Sequence, residues 1–220
     1  MSPLHNRPRP KADEKRIPPK YRLLKLGLSD DGEEKKWEFS MPNRPKELSV
    51  NRAHNVVVAC YCEPDLSEGL LYEFTTDTAL VRCIALPNDM QYPRHAIQLS
   101  TGDYAVCQWT SPGKISVARV NEVKASYESP DSEGQMEYPS CLAVTKNDDI
   151  LVADEDNCRI LAFTKRTRFE VSVQELVLPV YDGKGLHCPH AMFLDEPRGR
   201  LYVGELSGEY RVLVFDGVKL

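Results

Sequence analysis

The stretch "YPSCLAVTKNDDILVADEDNCRILAF", residues 138–163, decides the fold. A proline stands near its start, and three apolar runs follow, separated by a polar turn and by a cluster of acidic and asparagine residues. Short runs that are rich in Val, Ile, Leu and Phe and bounded by turn residues are typical of β-strands. The stretch therefore predicts three consecutive strands, and residues 154–157 between the last two are either a metal site or a turn.

The pattern of this stretch recurs along the chain. The first three units also contain a fourth apolar run, whereas the fourth unit stops before one. Four short strands repeated at about 40 to 50 residues are typical of the blades of a β-propeller, so the sequence predicts an all-β fold of that kind. The units begin near residues 44, 92, 138 and 188, and their marker prolines, Pro45, Pro93, Pro139 and Pro189, are spaced by 48, 46 and 50 residues.

Residues 138–163 resemble an NHL repeat. The resemblance rests on Pro139, on the segments "LAV" and "DDILVAD", and on Asn157 and Arg159 before "ILAF". The last unit shares "PHAMFLDEPRGRLYVGE" and "YRVLVF". The resemblance extends over about residues 44 to 220 and implies NHL-type four-stranded blades, as in the NHL domain of tripartite-motif-type proteins. The chain shows no RING, B-box or coiled-coil pattern, so ubiquitin-ligase activity is not implied.

The number of units predicts an incomplete ring. Residues 21–220 hold a little over four units, and we expect about four to four and a half blades. Residues 21–42 predict a hairpin around residues 30–32, equivalent to the last two strands of a preceding blade. One of its strands could instead complete the final unit and close the ring. A small closed ring, an open arc completed by a partner such as a second copy, and a truncated product are the three alternatives.

The charge balance disfavours nucleic acid as a partner. Residues 1–20 hold five prolines, six Lys or Arg and two acids, which predicts a disordered basic tail. The formal net charge is −5 and this tail contributes +4, which leaves −9 for residues 21–220. A folded part this acidic is a poor match for a phosphate backbone, so RNA is the second choice of partner after protein.

Cysteine usage and apolar run lengths predict a cytoplasmic setting without a membrane partner. The seven cysteines contain no CxxC pair, and the chain starts without a secretory signal. Free thiols of this kind are typical of a reducing compartment. No apolar run approaches the roughly 20 residues of a membrane span.

The cluster at residues 154–157 fits a turn better than a calcium loop. Calcium loops place oxygen ligands at alternating positions around a glycine, and this cluster has neither feature. Asp and Asn side chains often hydrogen-bond the backbone of turns. We therefore interpret Asp154, Asn157 and Arg159 as structural turn residues, with Arg159 paired with an acid across the turn.

His95 and His190 are candidate metal ligands. Both lie at the start of an innermost strand, where a propeller presents side chains to the mouth of its central channel. Imidazoles from separate blades can converge on zinc there, and Cys141 in the third unit could be a further ligand. The arrangement is similar to the peptidyl-α-hydroxyglycine α-amidating lyases, whose channel histidines hold zinc. In the alternative, both histidines cap strand starts near the channel and no cofactor is expected.

Tyr92, Arg94 and Trp109 are the candidate interaction residues. Arginine and aromatic side chains supply most anchors of protein interfaces, and the same rings could stack on RNA bases. The alternative is that Trp109 fills the space between adjacent blades.

These patterns favour a non-enzymatic propeller that serves as a protein-interaction platform. The sequence contains neither a GxSxG nucleophile motif nor a glycine-rich phosphate loop followed by a helix. The alternatives are a zinc-dependent lyase or hydrolase that uses His95 and His190, and an RNA-binding domain.

Overall fold

The computed structural model describes residues 21–28, 34–41, 43–62, 68–77, 79–119, 122–127, 134–165, 171–176, 178 and 185–218. The predicted tail and the predicted turn of the first hairpin lie outside these residues. The chain forms two compact units, Met1–Pro42 and Asn43–Leu220.

The first unit contains one antiparallel hairpin. Its strands are β1 (Tyr21–Leu28) and β2 (Glu34–Met41), and they pair from Tyr21 opposite Met41 to Leu28 opposite Glu34. In the described part of the chain their sheet holds these two strands alone. Closure of the ring by one of these strands stays a prediction.

The second unit is a β-propeller of four antiparallel blades, which confirms the predicted fold class. In each blade the strands follow the chain from the channel to the outer edge, and the described part of the fourth blade has three strands instead of four. The strands are β3 (Arg44–Val50), β4 (Val56–Tyr61), β5 (Gly69–Phe74) and β6 (Leu80–Ala85) in blade 1; β7 (Pro93–Gln98), β8 (Tyr104–Gln108), β9 (Lys114–Arg119) and β10 (Glu122–Tyr127) in blade 2; β11 (Pro139–Val144), β12 (Ile150–Asp154), β13 (Arg159–Lys165) and β14 (Val171–Glu175) in blade 3; and β15 (Pro189–Asp195), β16 (Arg200–Glu205) and β17 (Val212–Asp216) in blade 4.

Neighbouring blades are held together by three apolar cores. Successive side chains of a strand point to opposite faces of its sheet, so each blade can pack against two neighbours. In blade 3, Leu142 and Val152 pack against blade 2, whereas Leu151 and Ala153 pack against blade 4. Each fully buried Leu or Val contributes about 1.5 to 3 kcal/mol, so these cores account for most of the favourable energy that joins the blades.

The outer face of blade 4 is exposed. Phe193, Val212 and Val214 alternate with the residues that pack against blade 3, and 64%, 70% and 47% of their surfaces are accessible. Among the described residues no apolar core joins this face to blade 1. The first and last blades still meet at the channel, where Glu47 Oε1 lies 3.8 Å from His190 Nε2. Completion of the ring by a second copy stays a prediction.

The two faces of the propeller differ in what they present. We call the face at which the innermost strands begin, next to the marker prolines, the proline face. The hairpin face is opposite, where each innermost strand turns into the second strand. Helical structure in the described ranges is a 3₁₀ turn, Glu196–Arg198, on the hairpin face. None of the described residues form a helix that is long and apolar enough to cross a membrane.

Candidate binding site at the channel mouth

Each innermost strand is irregular immediately after its marker proline. The pairing register with the second strand shifts there, as between Pro93 and His95. A β-bulge of this kind changes the direction in which a side chain points. The bulged residues are Lys46 and Glu47 in blade 1, Arg94 in blade 2, Ser140 in blade 3 and His190 in blade 4.

Four polar side chains, one from each blade, meet at the mouth of the channel on the proline face. We call Glu47, Arg94, Glu155 and His190 the mouth network. Arg94 Nη2 lies 3.1 Å from Glu47 Oε1 and 2.8 Å from His190 Nε2. His190 Nδ1 lies 2.9 Å from Glu155 Oε2. Because a guanidinium can only donate, His190 accepts through Nε2 and donates to Glu155 through Nδ1.

The mouth network is only partly shielded from water. The accessible fraction of the side chain is 10% for Glu155, 14% for Arg94 and 24% for His190. Arg94 Nε is buried and has no hydrogen-bond partner among the described residues. The network therefore orders the mouth, and the ion pair of Arg94 with Glu47, which is 36% exposed, adds little to stability because water screens it.

His95 follows the bulge and is buried inside the propeller. Its Nδ1 accepts a hydrogen bond of 3.0 Å from the Leu142 backbone N–H. Burial lowers the pKa of His95 to about 4, against the opposing effect of a hydrogen bond to the Leu48 backbone. The uncharged imidazole thus connects the innermost strands of blades 1, 2 and 3, and both of its nitrogens are in use.

The three sequence-predicted metal ligands do not meet at one point. Cys141 Sγ lies 4.0 Å from His95 Nδ1, whereas His190 contacts Arg94 and Glu155 instead. Burial raises the pKa of the Cys141 thiol to about 11, although zinc binds the thiolate form. Within the described ranges no group of three or more His, Cys, Asp or Glu is arranged to hold a metal ion.

Four aromatic rings lie beside the mouth network. We call Tyr61, Tyr92, Trp109 and Tyr138 the aromatic rim. The ring centroids are 6.2 Å apart for Tyr61 and Tyr92, and 5.2 Å apart for Trp109 and Tyr138. A hydrogen bond of 3.0 Å from the Trp109 backbone N–H to the Tyr92 carbonyl joins the two pairs. The rim is therefore continuous across blades 1, 2 and 3.

Three cations lie over the rings of the aromatic rim, and one of them is the Arg44 guanidinium, 5.9 Å from the Tyr61 centroid. Lys46 Nζ is 5.1 Å from the Tyr61 centroid and 6.0 Å from the Trp109 centroid, and the Arg94 guanidinium is 5.8 Å from Trp109. Cations at these distances are attracted to the faces of the rings. Trp109 remains 41% exposed, so its ring is a surface feature as well as a contact to Tyr138 of the next blade.

The backbone before the marker prolines holds two of these rings in place. Tyr92 and Tyr138 have φ angles of 51° and 52°, in the left-handed region that tyrosine seldom adopts. Cys188 has a φ of 44° at the same position in blade 4. The conformation therefore recurs in three of the four blades, and the tyrosines at this position in blades 2 and 3 supply two of the four rings of the rim.

Asp154 is fully buried and organises the turn between β12 and β13. Its carboxylate accepts hydrogen bonds from the Glu137 backbone N–H at 2.7 Å, from Asn157 at 2.9 Å and from Arg159 Nε at 2.7 Å. Both oxygens are occupied by protein donors, so Asp154 stabilises the turn. The neighbouring Glu155 instead reaches the mouth network.

Two features of the site differ from the simple pattern of the repeat. The register places Gln108 opposite Pro93, at the position that Asp154 occupies opposite Pro139 in blade 3. His190 follows its proline directly and is therefore equivalent to Arg94, whereas His95 is one residue further along. Counting residues from each marker proline would have found the second difference. The role of Glu155 had no local sequence signal, because its partner is 35 residues away in another blade.

Comparisons with known proteins agree with this architecture. Residues 136–163 match the model of the NHL repeat. No curated protein sequence matches the chain. Similar solved structures include a protein of unknown function from Bacteroides caccae, with 16% identity and a TM-score of 0.66 over 87% of this chain and 70% of that one.

Two enzymes are also similar in structure. Virginiamycin B lyase from Staphylococcus aureus has 14% identity and a TM-score of 0.50 over 87% of this chain and 62% of its own. A gluconolactonase from Xanthomonas campestris has 10% identity and a TM-score of 0.57 over 79% of this chain and 58% of its own. The chain spans about three fifths of these enzymes, and likeness at such identity concerns the fold alone. The chain is a β-propeller that carries an NHL repeat at residues 136–163.

Proposed function

We propose that this propeller is a non-enzymatic platform that binds a segment of a protein partner on its proline face. The observation that carries the proposal is the aromatic rim, where Trp109 is 41% exposed between the cations of Lys46 and Arg94. Tryptophan, tyrosine and arginine are the side chains that most often anchor protein interfaces.

The charges at the rim favour a partner segment with an acidic side chain next to an apolar one. Arg94 already pairs with Glu47, but the Lys46 ammonium makes no ion pair with any described residue. A carboxylate of the partner could therefore pair with Lys46 while an apolar side chain packs on Trp109. Both contacts would lie on the same surface, because Lys46 Nζ is 6.0 Å from the Trp109 ring.

A peptide selection tests this proposal. A random peptide library is selected on the immobilised chain, and binding is measured by fluorescence of a Trp37→Phe variant, in which Trp109 is the remaining tryptophan. We expect the selected peptides to be enriched in acidic and apolar residues and to change the emission of Trp109. Leu80→Ala is the matched control, because Leu80 is 44% exposed on the outer strand of blade 1.

The same assay separates protein from RNA as the partner. A pool of short RNAs replaces the peptides at physiological salt. Retention of RNA that depends on Trp109 would contradict the choice of a protein partner, because base stacking uses the same ring. Retention that is lost with modest added salt and does not depend on Trp109 would instead reflect contacts by Lys and Arg residues with phosphates.

An enzyme is the second candidate, and the pair of His190 and Glu155 favours it. A histidine held by a carboxylate at 2.9 Å in a channel mouth is a common arrangement for proton transfer. The Arg94 guanidinium occupies Nε2, so a substrate would have to displace it before that nitrogen could act. Metal analysis of the purified protein tests the zinc-dependent version. Stoichiometric zinc that is lost in His190→Gln would support the enzyme, and metal-free protein that binds peptides would support the platform.

The state of the cysteines supports a reducing compartment for this function. None of the seven forms a disulfide within the part of the chain that the structure describes. Disulfides persist in secreted proteins and are rare in the cytosol, so we propose a cytoplasmic protein. Localisation of the tagged chain in cells tests this, and accumulation in the secretory pathway would contradict it.

A further inference from the structure

The innermost strands of all four blades enclose a cavity of about 530 Å³ on the hairpin face. Its opening is formed by the turns that hold Arg52 and Lys146. These turns follow the ends of the innermost strands, whereas the marker prolines stand at their starts. No member of the mouth network lines it. The cavity is therefore separate from the site on the proline face, and its volume lies in the range of small-molecule pockets.

The wall of the cavity is mainly apolar and is open to water. Leu48, Val50 and Phe193 line it and are 54%, 57% and 64% exposed. Apolar side chains grouped in a concave, wet surface are typical of ligand-binding grooves, because a ligand that covers them removes apolar surface from water. The remaining apolar lining comes from Ile97, Leu142, Ala143, Val144, Met192 and Leu194.

The histidine at the deep end of the cavity has no ring nitrogen free to bind a ligand. His95 lines this end, and burial lowers its pKa to about 4, so the ring is uncharged at neutral pH. One ring nitrogen accepts from Leu142 and the other donates to the Leu48 backbone. A charged group of a ligand would therefore be poorly solvated at this end and would lie at the opening instead.

The opening of the cavity is lined by two cationic side chains. Arg52 and Lys146 line it, and no carboxylate does so among the described residues. Arg52 Nη2 lies 3.5 Å from Asp148 Oδ1, and the Arg52 side chain is 51% exposed. The backbone N–H of Lys146 donates to Glu196, but its ammonium pairs with no described side chain. At least one cation is thus available to a ligand.

We propose that this cavity binds one small amphipathic anion, a molecule with an apolar chain or ring and a single carboxylate or sulfonate. The apolar part covers Leu48, Val50 and Phe193, and the anionic group pairs with Lys146 and Arg52 at the opening. The apolar wall and the cationic opening each contribute a separate selectivity, one for the tail and one for the head group. This site does not depend on the platform function, which uses the other face.

A series of ligands with one tail and three head groups tests the proposal. Octanoate, octanol and octyltrimethylammonium are titrated into the full chain by calorimetry at low ionic strength. We expect one site per chain, with octanoate binding about tenfold or more tightly than octanol and octyltrimethylammonium binding most weakly. Equal affinity for the three head groups, or no saturable binding of octanoate, would overturn the proposal.

Two variants separate the roles of the head group and the tail. Lys146→Gln should weaken octanoate about tenfold and leave octanol unchanged, because it removes a charge at the opening. Phe193→Ser should weaken both ligands, because it removes apolar wall. Leu80→Ser, on the outer strand of blade 1, is the control for loss of an exposed apolar side chain, and circular dichroism checks that each variant is folded. Octanoate binding that is the same in both test variants and the control would place the ligand elsewhere and refute the site.

Discussion

His95 should make the free energy of unfolding fall as the pH drops from about 6.5 to about 4. In the folded chain burial lowers the pKa of this histidine from 6.5 to about 4, so the folded state takes up a proton later than the unfolded state. Between these values the unfolded chain binds more protons, and stability therefore rises with pH. The contribution of the uncharged ring is complete above pH 6.5 and is lost as the pH falls through this window.

The size of this effect follows from the two pKa values. One unit of pKa difference corresponds to about 1.4 kcal/mol, so the shift of His95 corresponds to a loss of about 3 kcal/mol by pH 4. The structural origin is that a proton on Nδ1 would compete with the Leu142 N–H, which already donates to that nitrogen. A charged ring would also be enclosed among the apolar side chains of three blades.

Urea unfolding at a series of pH values measures the effect, with His95→Gln as the test variant. Glutamine can accept from Leu142 through its oxygen and donate through its nitrogen, but it does not titrate. We expect the wild-type chain to lose about 3 kcal/mol more than the variant between pH 6.5 and pH 4. His54→Asn is the control, because it removes an exposed histidine from the turn between β3 and β4. Parallel pH curves for the wild type and His95→Gln would refute the reasoning.

The contribution of Glu73 lies mainly at lower pH than that of His95. Burial of Glu73 would by itself raise the pKa of its carboxyl, but hydrogen bonds from Asn55, Arg82, Asn51 and Tyr104 lower it overall below 4.5. The ionised form is therefore favoured in the folded state. Its contribution to stability is present above the unfolded pKa and is lost as the pH falls through the lowered value, mainly under conditions more acidic than those in which His95 acts.

Three further substitutions test the packing of the blades and the mouth. Asp154→Ala should lower the free energy of unfolding by about 3 kcal/mol, because it leaves Arg159 and two other donors without their acceptor, and urea unfolding measures it. Gly113→Ala should cost about 1 to 3 kcal/mol in the same assay, because the added Cβ would lie 2.5 Å from Pro139 Cδ. Glu47→Gln should change the free energy of unfolding by less than about 1 kcal/mol, because this carboxylate is 36% exposed. An unchanged unfolding midpoint for Asp154→Ala, or a large loss of stability for Glu47→Gln, would contradict the roles assigned to these residues.

The fold could be predicted because its signals are local and repeated. Each marker proline lies at the start of an innermost strand, and the fourth unit, which holds three apolar runs, forms three strands in the described part of the chain. The short apolar runs define strands without knowledge of their neighbours. The number of blades therefore followed from the repeat.

The candidate site could be predicted only in part, because its side chains converge from different blades. Tyr92, Arg94 and Trp109 were recognised as residue types that suit an interface. Their companions were not, since Lys46 reaches Trp109 from another blade across 63 positions of sequence. The bulge after each proline decides which neighbouring residue faces the channel mouth, and a single residue of register separates His95 inside the propeller from His190 at its surface.

The affinity of one selected peptide for the wild-type chain and for Trp109→Ala tests the platform most directly. An anchor residue of an interface typically contributes about 2 kcal/mol or more, so we expect the variant to bind about thirtyfold more weakly. Leu80→Ala should bind as the wild type does. Equal affinities of the wild type and Trp109→Ala for that peptide would contradict the assignment of the aromatic rim as the binding surface.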